Sequence, residues 1–338
     1  MDPQMIIGSK IIFHIGYPKA GSTTLQRALF NSHPKLINLG LNPKKNVAEV
    51  HSQQNANENI VPIDVDPCIA DLNHILCNLD GVLLDEKLLI NKWKSISDKY
   101  GRSSKQLIVS NESFLSTRFS NPEVIEKIRR IKLIEPNAKI IVVIRSQYKI
   151  LMSLYRDQPF DPRMLRAKNK HVSFDEYFNI EINSPIHSSI NSLHYFKLWK
   201  HLTANFGREN VLMLPLELLE LDPESFCEKL GAFLGIDSAS VAERLVGRRE
   251  NSGVAGDTGK YRSLRRKFSV LLGQRPALKR AARSIDQLIM RCLGKYNKPK
   301  KIDISDRHKT MFKKIYSEGN SALSIELNVD LNELGYPC

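Results

Sequence analysis

The stretch "IIFHIGYPKAGSTTLQ", Ile11 to Gln26, decides how the chain is read. Ile11–Ile15 is a short apolar run with β-branched residues that stops at a glycine, as a buried strand does. Gly16, four residues and Gly21 keep the frame of a phosphate-cradling loop, and Thr23 stands at its Ser/Thr position. Ser22 occupies the slot where that frame carries lysine, and the lysine, Lys19, sits inside the loop instead. Ser22–Asn31 then reads as a helix, with Leu25 and Leu29 at helical spacing. A strand, a glycine-containing turn and a helix start aim backbone N–H groups and the helix dipole at one point, which is a seat for an anion. The plainer reading is a well-capped strand-to-helix turn, but a cap needs one Ser or Thr, not Ser22, Thr23 and Thr24 in a row.

Two features count against a nucleoside triphosphate hydrolase. The lysine that would bridge β- and γ-phosphates is missing from its slot. No strand ends in an apolar run followed by Asp, which would hold magnesium; the run "KIIVVIR" ends in Arg145. An anion held by Lys19 and backbone amides without a metal suits a sulfuryl group, which carries less charge than a phosphoryl group.

Working outward, "QLIVSNE" (106–112) reads as a second strand, "AKIIVVIR" (138–145) as a third and "NVLMLPLELL" (210–219) as a fourth. "QYKILMSLYRD" after Arg145 has helical spacing at Ile150, Leu151 and Leu154. "DPESFCEKLGAFLGI" (222–236) is a helix capped by Asp222 with Pro223 in its first turn. Strands alternating with helices predict a three-layer α/β fold around a parallel sheet, in a single domain over 1–338. Residues 42–67, rich in Asn and Gln, read as a mobile insertion.

With 42% hydrophobic and 25% charged residues the composition is that of a soluble globular protein. Met1–Lys10 lacks the apolar stretch of a signal peptide, and no apolar run approaches the roughly 20 residues of a membrane span. Five cysteines without a CxxC pair fit reduced thiols rather than a zinc site or a disulfide framework. The expectation is a cytoplasmic protein.

The loop also carries a family resemblance. "YPKAGSTT" resembles the 5′-phosphosulfate loop, usually Pro-Lys-Ser/Thr-Gly-Thr-Thr, of sulfotransferases that use 3′-phosphoadenosine 5′-phosphosulfate (PAPS). A second family motif, an arginine ending a strand with a serine eight residues on, falls on Arg145 and Ser153 in "VVIRSQYKILMSLYRD". "SFDEYF", "YFKLWKHLTANFGRENVLMLPLELL" and "FCEKLGAFLGI" look like the middle and late parts of bacterial members, and "GNSALSIELNVDLNELGYP" is similar to the way many bacterial carbohydrate-type members end. The resemblance implies that Lys19, Ala20, Gly21, Ser22, Thr23 and Thr24 hold the phosphosulfate and that Arg145 and Ser153 hold the 3′-phosphate. It further implies sulfuryl transfer from PAPS to a carbohydrate or glycolipid hydroxyl. There are departures. Thr24 stands where animal cytosolic members carry an adenine-stacking tryptophan, and Gln147 stands where a proline is common.

Sulfuryl transfer needs a held donor, a stabilised leaving group and a base. Lys19 is the candidate for the leaving group, with an ordinary solvated lysine as its alternative. Arg145 offers a planar fork for a phosphate, with a structural salt bridge as its alternative; Ser153 is otherwise a small packing residue. Related enzymes place a Glu or His near the end of the second strand. Glu112 lies there, on the side where parallel α/β folds bind ligands, and it reads as base, as the cap of the next helix or as an acceptor-binding residue. His14 reads as a core histidine, while His51, His187 and His194 are rivals only if their loops fold over the site. Arg248, Arg249 and Asn251 are candidates for a basic loop over the donor, or are simply solvated.

Between Lys260 and Lys301 stand 14 Lys/Arg and one acid, Asp286, whereas the rest of the chain carries 36 basic and 35 acidic residues. Nearly all of the net charge of +14 therefore belongs to one segment. Leu264, Phe268, Leu271 and Leu272 share a helical face there. Such basic helices pack on a core, lie on anionic membranes or bind polyanions; nucleic acid is disfavoured because stacking aromatics are sparse. Beside the PAPS enzyme stand two other readings, an atypical P-loop kinase and a non-catalytic binder of nucleotide or anionic surfaces.

Overall fold

The strands of the central sheet are apolar, β-branched runs because helices cover both faces and few positions can point at water. The computed structural model describes residues 11–40, 67–101, 103–116, 123–156, 173–184, 188–248 and 304–338. Its strands are β1 (Ile11–Ile15), β2 (Leu36–Asn38), β3 (Gln106–Asn111), β4 (Lys139–Ile144) and β5 (Val211–Pro215). All pair in parallel, in the order β2-β3-β1-β4-β5. The predicted parallel α/β architecture is thus the observed one.

The helices are α1 (Ser22–Thr24), α2 (Pro67–Cys77), α3 (Glu86–Tyr100), α4 (Val124–Ile134), α5 (Gln147–Arg156) and α6 (Phe174–Asn183). They continue as α7 (Ser189–Ser192), α8 (Tyr195–Phe206), α9 (Leu218–Leu221), α10 (Pro223–Leu234), α11 (Ser238–Leu245) and α12 (Asp306–Leu327). Side chains of β1 alternate between the two layers. Phe13 meets Trp93 of α3 and Phe114, with ring centroids 5.8 and 6.3 Å apart. His14 points the other way, onto Phe30 at 5.3 Å. Buried residues from both layers and the sheet form one hydrophobic core.

Three sequence expectations need correction. The helix after the loop is α-helical only over α1 and winds as a π-helix over Leu25–Phe30, where Asn31 N–H reaches Gln26 O at 2.9 Å. β2 was not foreseen, since "LIN" is too short to show a period. The fourth strand stops at Pro215; its last residues turn into α9. Asp222 does cap α10, accepting from Ser225 N–H at 3.1 Å, with Pro223 as the first helical residue. Of the 42–67 insertion only Pro67, which opens α2, is among the described residues, and 260–301 lies outside them.

The order of the strands locates the site. β1 is central, the chain reaches β2 and β3 on one side of it, and then crosses to β4 and β5 on the other. The crevice beyond the carboxyl ends of β1, β3 and β4 is therefore the switch point at which open parallel sheets bind ligands.

Candidate functional site

The loop 16–21 is built by two left-handed residues. Lys19 has φ +70° and Gly21 has φ +81°. For lysine this conformation costs on the order of 1 kcal/mol, so something must hold it. Ala20 N–H closes a turn onto Tyr17 O at 3.2 Å, and Arg145 Nη1 donates to Lys19 O at 2.9 Å. Left-handed residues turn successive amides inward as an anion nest, and the N–H groups of Gly21, Ser22 and Thr23 have no protein acceptor among the described residues. Lys19 itself is exposed, Thr23 is partly exposed, and Ser22 and Thr24 are buried. A methyl group on Gly16 would overlap Ser22 Oγ and come within 3.2 Å of His14 Cε1, so any larger residue there must displace the Ser22 hydroxyl.

Arg145 is the residue just past β4, and the hydrogen bond to Lys19 O brings the two predicted anion-binding motifs together. No carboxylate pairs with Arg145 among the described residues, so the salt-bridge alternative is not what is seen. Behind it stands a brace that sequence reading did not find. Tyr195 OH donates to Arg145 O at 2.6 Å, and the Tyr195 ring packs edge-on against Tyr17 at 5.2 Å and Tyr336 at 6.3 Å. Glu217, buried just past β5, accepts from Ser146 N–H at 3.2 Å and Tyr336 OH at 2.9 Å, and pairs with Lys149 Nζ at 3.1 Å. Burial raises the Tyr17, Tyr195 and Tyr336 hydroxyls above their ordinary range, so they remain donors. Ser153 lies on α5 one helical turn beyond Lys149, partly exposed and without a hydrogen-bond partner among the described residues. Gln147, in place of the usual proline, ties α5 to α12 through Asn320 Oδ1 at 2.9 Å.

Glu112 follows Asn111, whose register partner is Ile15, so it stands beside the start of the loop. It is the first residue of a 3₁₀ turn, Glu112–Phe114, and is partly buried. The cap of that turn is Asn111, which accepts from Ser113 N–H at 2.9 Å; the capping alternative for Glu112 is thereby corrected. Lys127 of α4 holds the turn from below, donating from Nζ to Ser113 O at 2.7 Å and Ser116 O at 3.1 Å. Burial lowers the Lys127 ammonium to about 8.

His14 is a core histidine, as expected: fully buried and, through desolvation, lowered to about 4. His194 is partly buried at the start of α8 and packs on Tyr316 at 5.3 Å. Arg248 is exposed just past α11, while Arg249, Asn251, His51 and His187 lie outside the described residues. No cluster of His, Cys, Asp and Glu suited to a metal occurs among the described residues. The missed residues had one legible signal, the carboxylate of "LELL" directly after a strand. Tyr17, Tyr195 and Tyr336 had none, because they meet only in the fold.

A family model described as "Sulfotransferase family" matches residues 12–240, which run from the second residue of β1 past β5 and include the loop, Glu112, Arg145 and Ser153. The chain belongs to the sulfotransferase family. Among solved structures it is similar to a sulfotransferase from Alicyclobacillus acidocaldarius, at 13% identity over 96% of this chain and 97% of that one, with a TM-score of 0.47. The sulfotransferase domain of the Synechococcus PCC 7002 olefin synthase is 22% identical over 67% of this chain and 74% of its own, with a TM-score of 0.37. A sulfotransferase domain from the curacin biosynthetic pathway is 16% identical over 72% and 80%, with a TM-score of 0.38. No curated protein matches this sulfotransferase significantly.

Proposed function

We propose that this sulfotransferase moves a sulfuryl group from PAPS to a hydroxyl of a carbohydrate or glycolipid acceptor. The observation that carries the reading is the hydrogen bond from Arg145 to Lys19 O, which sets a guanidinium without a carboxylate partner among the described residues against a loop in which the amides of Gly21, Ser22 and Thr23 have no acceptor there. That arrangement fits a nucleotide bearing a 5′-phosphosulfate at the loop and a 3′-phosphate at Arg145 and Ser153. PAPS supplies an activated sulfur; the residues of the chain do the rest. In the transfer the bond from sulfur to the 5′-phosphate oxygen breaks, the bond from sulfur to the acceptor oxygen forms, and the acceptor proton goes to Glu112. Lys19 and the amides of Gly21, Ser22 and Thr23 meet the charge left on the phosphate oxygen. Glu112 is given the base role for its place beside the loop and for the turn that Lys127 anchors. The class of acceptor rests on the sequence resemblance.

Isothermal titration tests the donor assignment. 3′-Phosphoadenosine 5′-phosphate should bind at least about tenfold more tightly than AMP, because an emptied phosphate site leaves donors unpaired. Equal affinities would sink the assignment, and binding of ATP with magnesium alone would favour a kinase. Turnover with radiolabelled PAPS against a panel of glycans and glycolipids tests the acceptor.

A further inference from the structure

Directly beneath the anion loop lies a buried polar cluster that the proposed chemistry does not use. His14 Nδ1 is 2.7 Å from Ser110 Oγ, and Gln26 Nε2 donates to the same oxygen at 2.9 Å. These three side chains come from β1, β3 and the π-helical turn, and each is at most 2% exposed. Hydroxyl stoichiometry then assigns the histidine tautomer. With the Gln26 amide turned to donate to Ser110 Oγ, an orientation that leaves Gln26 Oε1 buried without a partner among the described residues, the Ser110 proton goes to His14 Nδ1. A neutral imidazole that accepts at Nδ1 carries its proton on Nε2. His14 Nε2 is buried and has no hydrogen-bond partner among the described residues.

Its position is the second observation. A Cβ built on Gly16 would lie 3.4 Å from His14 Nε2 and would overlap Ser22 Oγ. Both atoms thus crowd the same point at the floor of the loop. Ser22 Oγ meanwhile makes only a long contact, 3.5 Å, to Tyr17 O. A buried donor left without an acceptor is costly unless the bound state provides one.

We propose that His14 is a positioning residue of the anion site: its Nε2–H donates to Ser22 Oγ when the loop is filled and turns the Ser22 proton toward the bound oxyanion. A serine hydroxyl has one proton and two lone pairs. Without a donor below, it can spend its proton on Tyr17 O; with His14 occupying a lone pair, the proton is directed to the ligand. The alternative tautomer would aim a lone pair at the anion from below. This inference rests on the loop being the anion seat of the proposed function, but not on the identity of the nucleotide.

The test begins with the native protein. Side-chain ¹⁵N spectra of uniformly labelled protein should show His14 protonated at Nε2 and bare at Nδ1. Adding inorganic sulfate should shift the Nε2 resonance, and that shift should vanish in Ser22→Ala. In folded variants, His14→Phe and Ser22→Ala should each weaken 3′-phosphoadenosine 5′-phosphate binding about tenfold, the equivalent of one hydrogen bond to a charged group. The double variant should lose no more than either alone, because His14 acts only through Ser22. An Nδ1–H tautomer, which goes with the opposite orientation of the Gln26 amide, would overturn the proposal, and so would additive losses. A protein that shows the Nε2–H tautomer and answers sulfate but ignores the nucleotide would keep this inference and lose the donor assignment.

Discussion

At the scale of single residues, Gly16 and Lys19 set opposite demands. Gly16→Ala places a methyl group into Ser22 Oγ and the His14 ring, an overpacking worth about 1–3 kcal/mol, read as a lower melting temperature together with weaker nucleotide binding. Lys19→Ala does the reverse, relieving a left-handed side chain at an exposed position while removing the charge that meets the leaving group. Its melting temperature should hold and kcat should fall by roughly a hundredfold or more, as for other lost oxyanion donors; retention of more than about a tenth of the activity would remove Lys19 from the chemistry. His14 adds a pH signature. Its folded value is about 4 against an ordinary 6.5, so between those values the unfolded chain binds the proton that the folded one refuses. Stability is fully present above pH 6.5 and falls toward pH 4, by up to about 3 kcal/mol, and urea titrations across that window should show the slope shrink in His14→Phe. The loop around Lys19 and the strand end at Arg145 were legible in the sequence because both are local patterns, an apolar run that stops at a glycine and one that stops at an arginine. The tyrosines and Glu217 behind Arg145 were not: Ser146 and Gly335, or Arg145 and Tyr195, become neighbours only through the topology.

At the scale of elements, the turn Glu112–Phe114 is held by a lysine from another helix. Lys127→Met removes the two bonds to Ser113 O and Ser116 O without touching the loop. If Glu112 is the base, turnover should drop about tenfold or more while titration with 3′-phosphoadenosine 5′-phosphate stays unchanged, since the two lost bonds hold only the turn that carries Glu112. Equal losses in both would place the effect on the whole fold. Because the folded Lys127 titrates near 8 and a free lysine near 10.5, the wild-type protein gains stability as pH rises through that interval, and the variant should not. Sequence reading located β1, β3 and β4 because long apolar runs declare themselves. The three residues of β2 and the π-helical winding after α1 escaped it, as a helical pattern of Leu25 and Leu29 does not reveal which carbonyl each amide meets.

At the scale of the whole molecule, charge is segregated. No helix among the described residues is long and apolar enough to cross a membrane, yet 260–301 carries 14 basic side chains. If each engaged Lys or Arg is worth about 1 kcal/mol at an anionic surface, a few would be enough to hold the chain on a lipid surface. Co-sedimentation with phosphatidylserine vesicles at low salt, lost when Arg265, Arg266, Arg280 and Arg283 become glutamate, is the expected outcome; failure to sediment at any salt would end the membrane reading and leave the catalytic one intact. The parallel sheet has a further consequence, in time rather than space. Ile11 pairs with Leu107 and Ile12 with Lys139, so each contact around the loop closes a long stretch of chain before it is rewarded. The strand, loop and helix of 11–30 are neighbours in sequence, but the bond that holds Lys19 left-handed arrives only when β4 docks. Refolding should therefore restore the emission of the buried tryptophans, Trp93 against Phe13 among them, before it restores affinity for nucleotide: the protein regains its shape first and its grip on the ligand last.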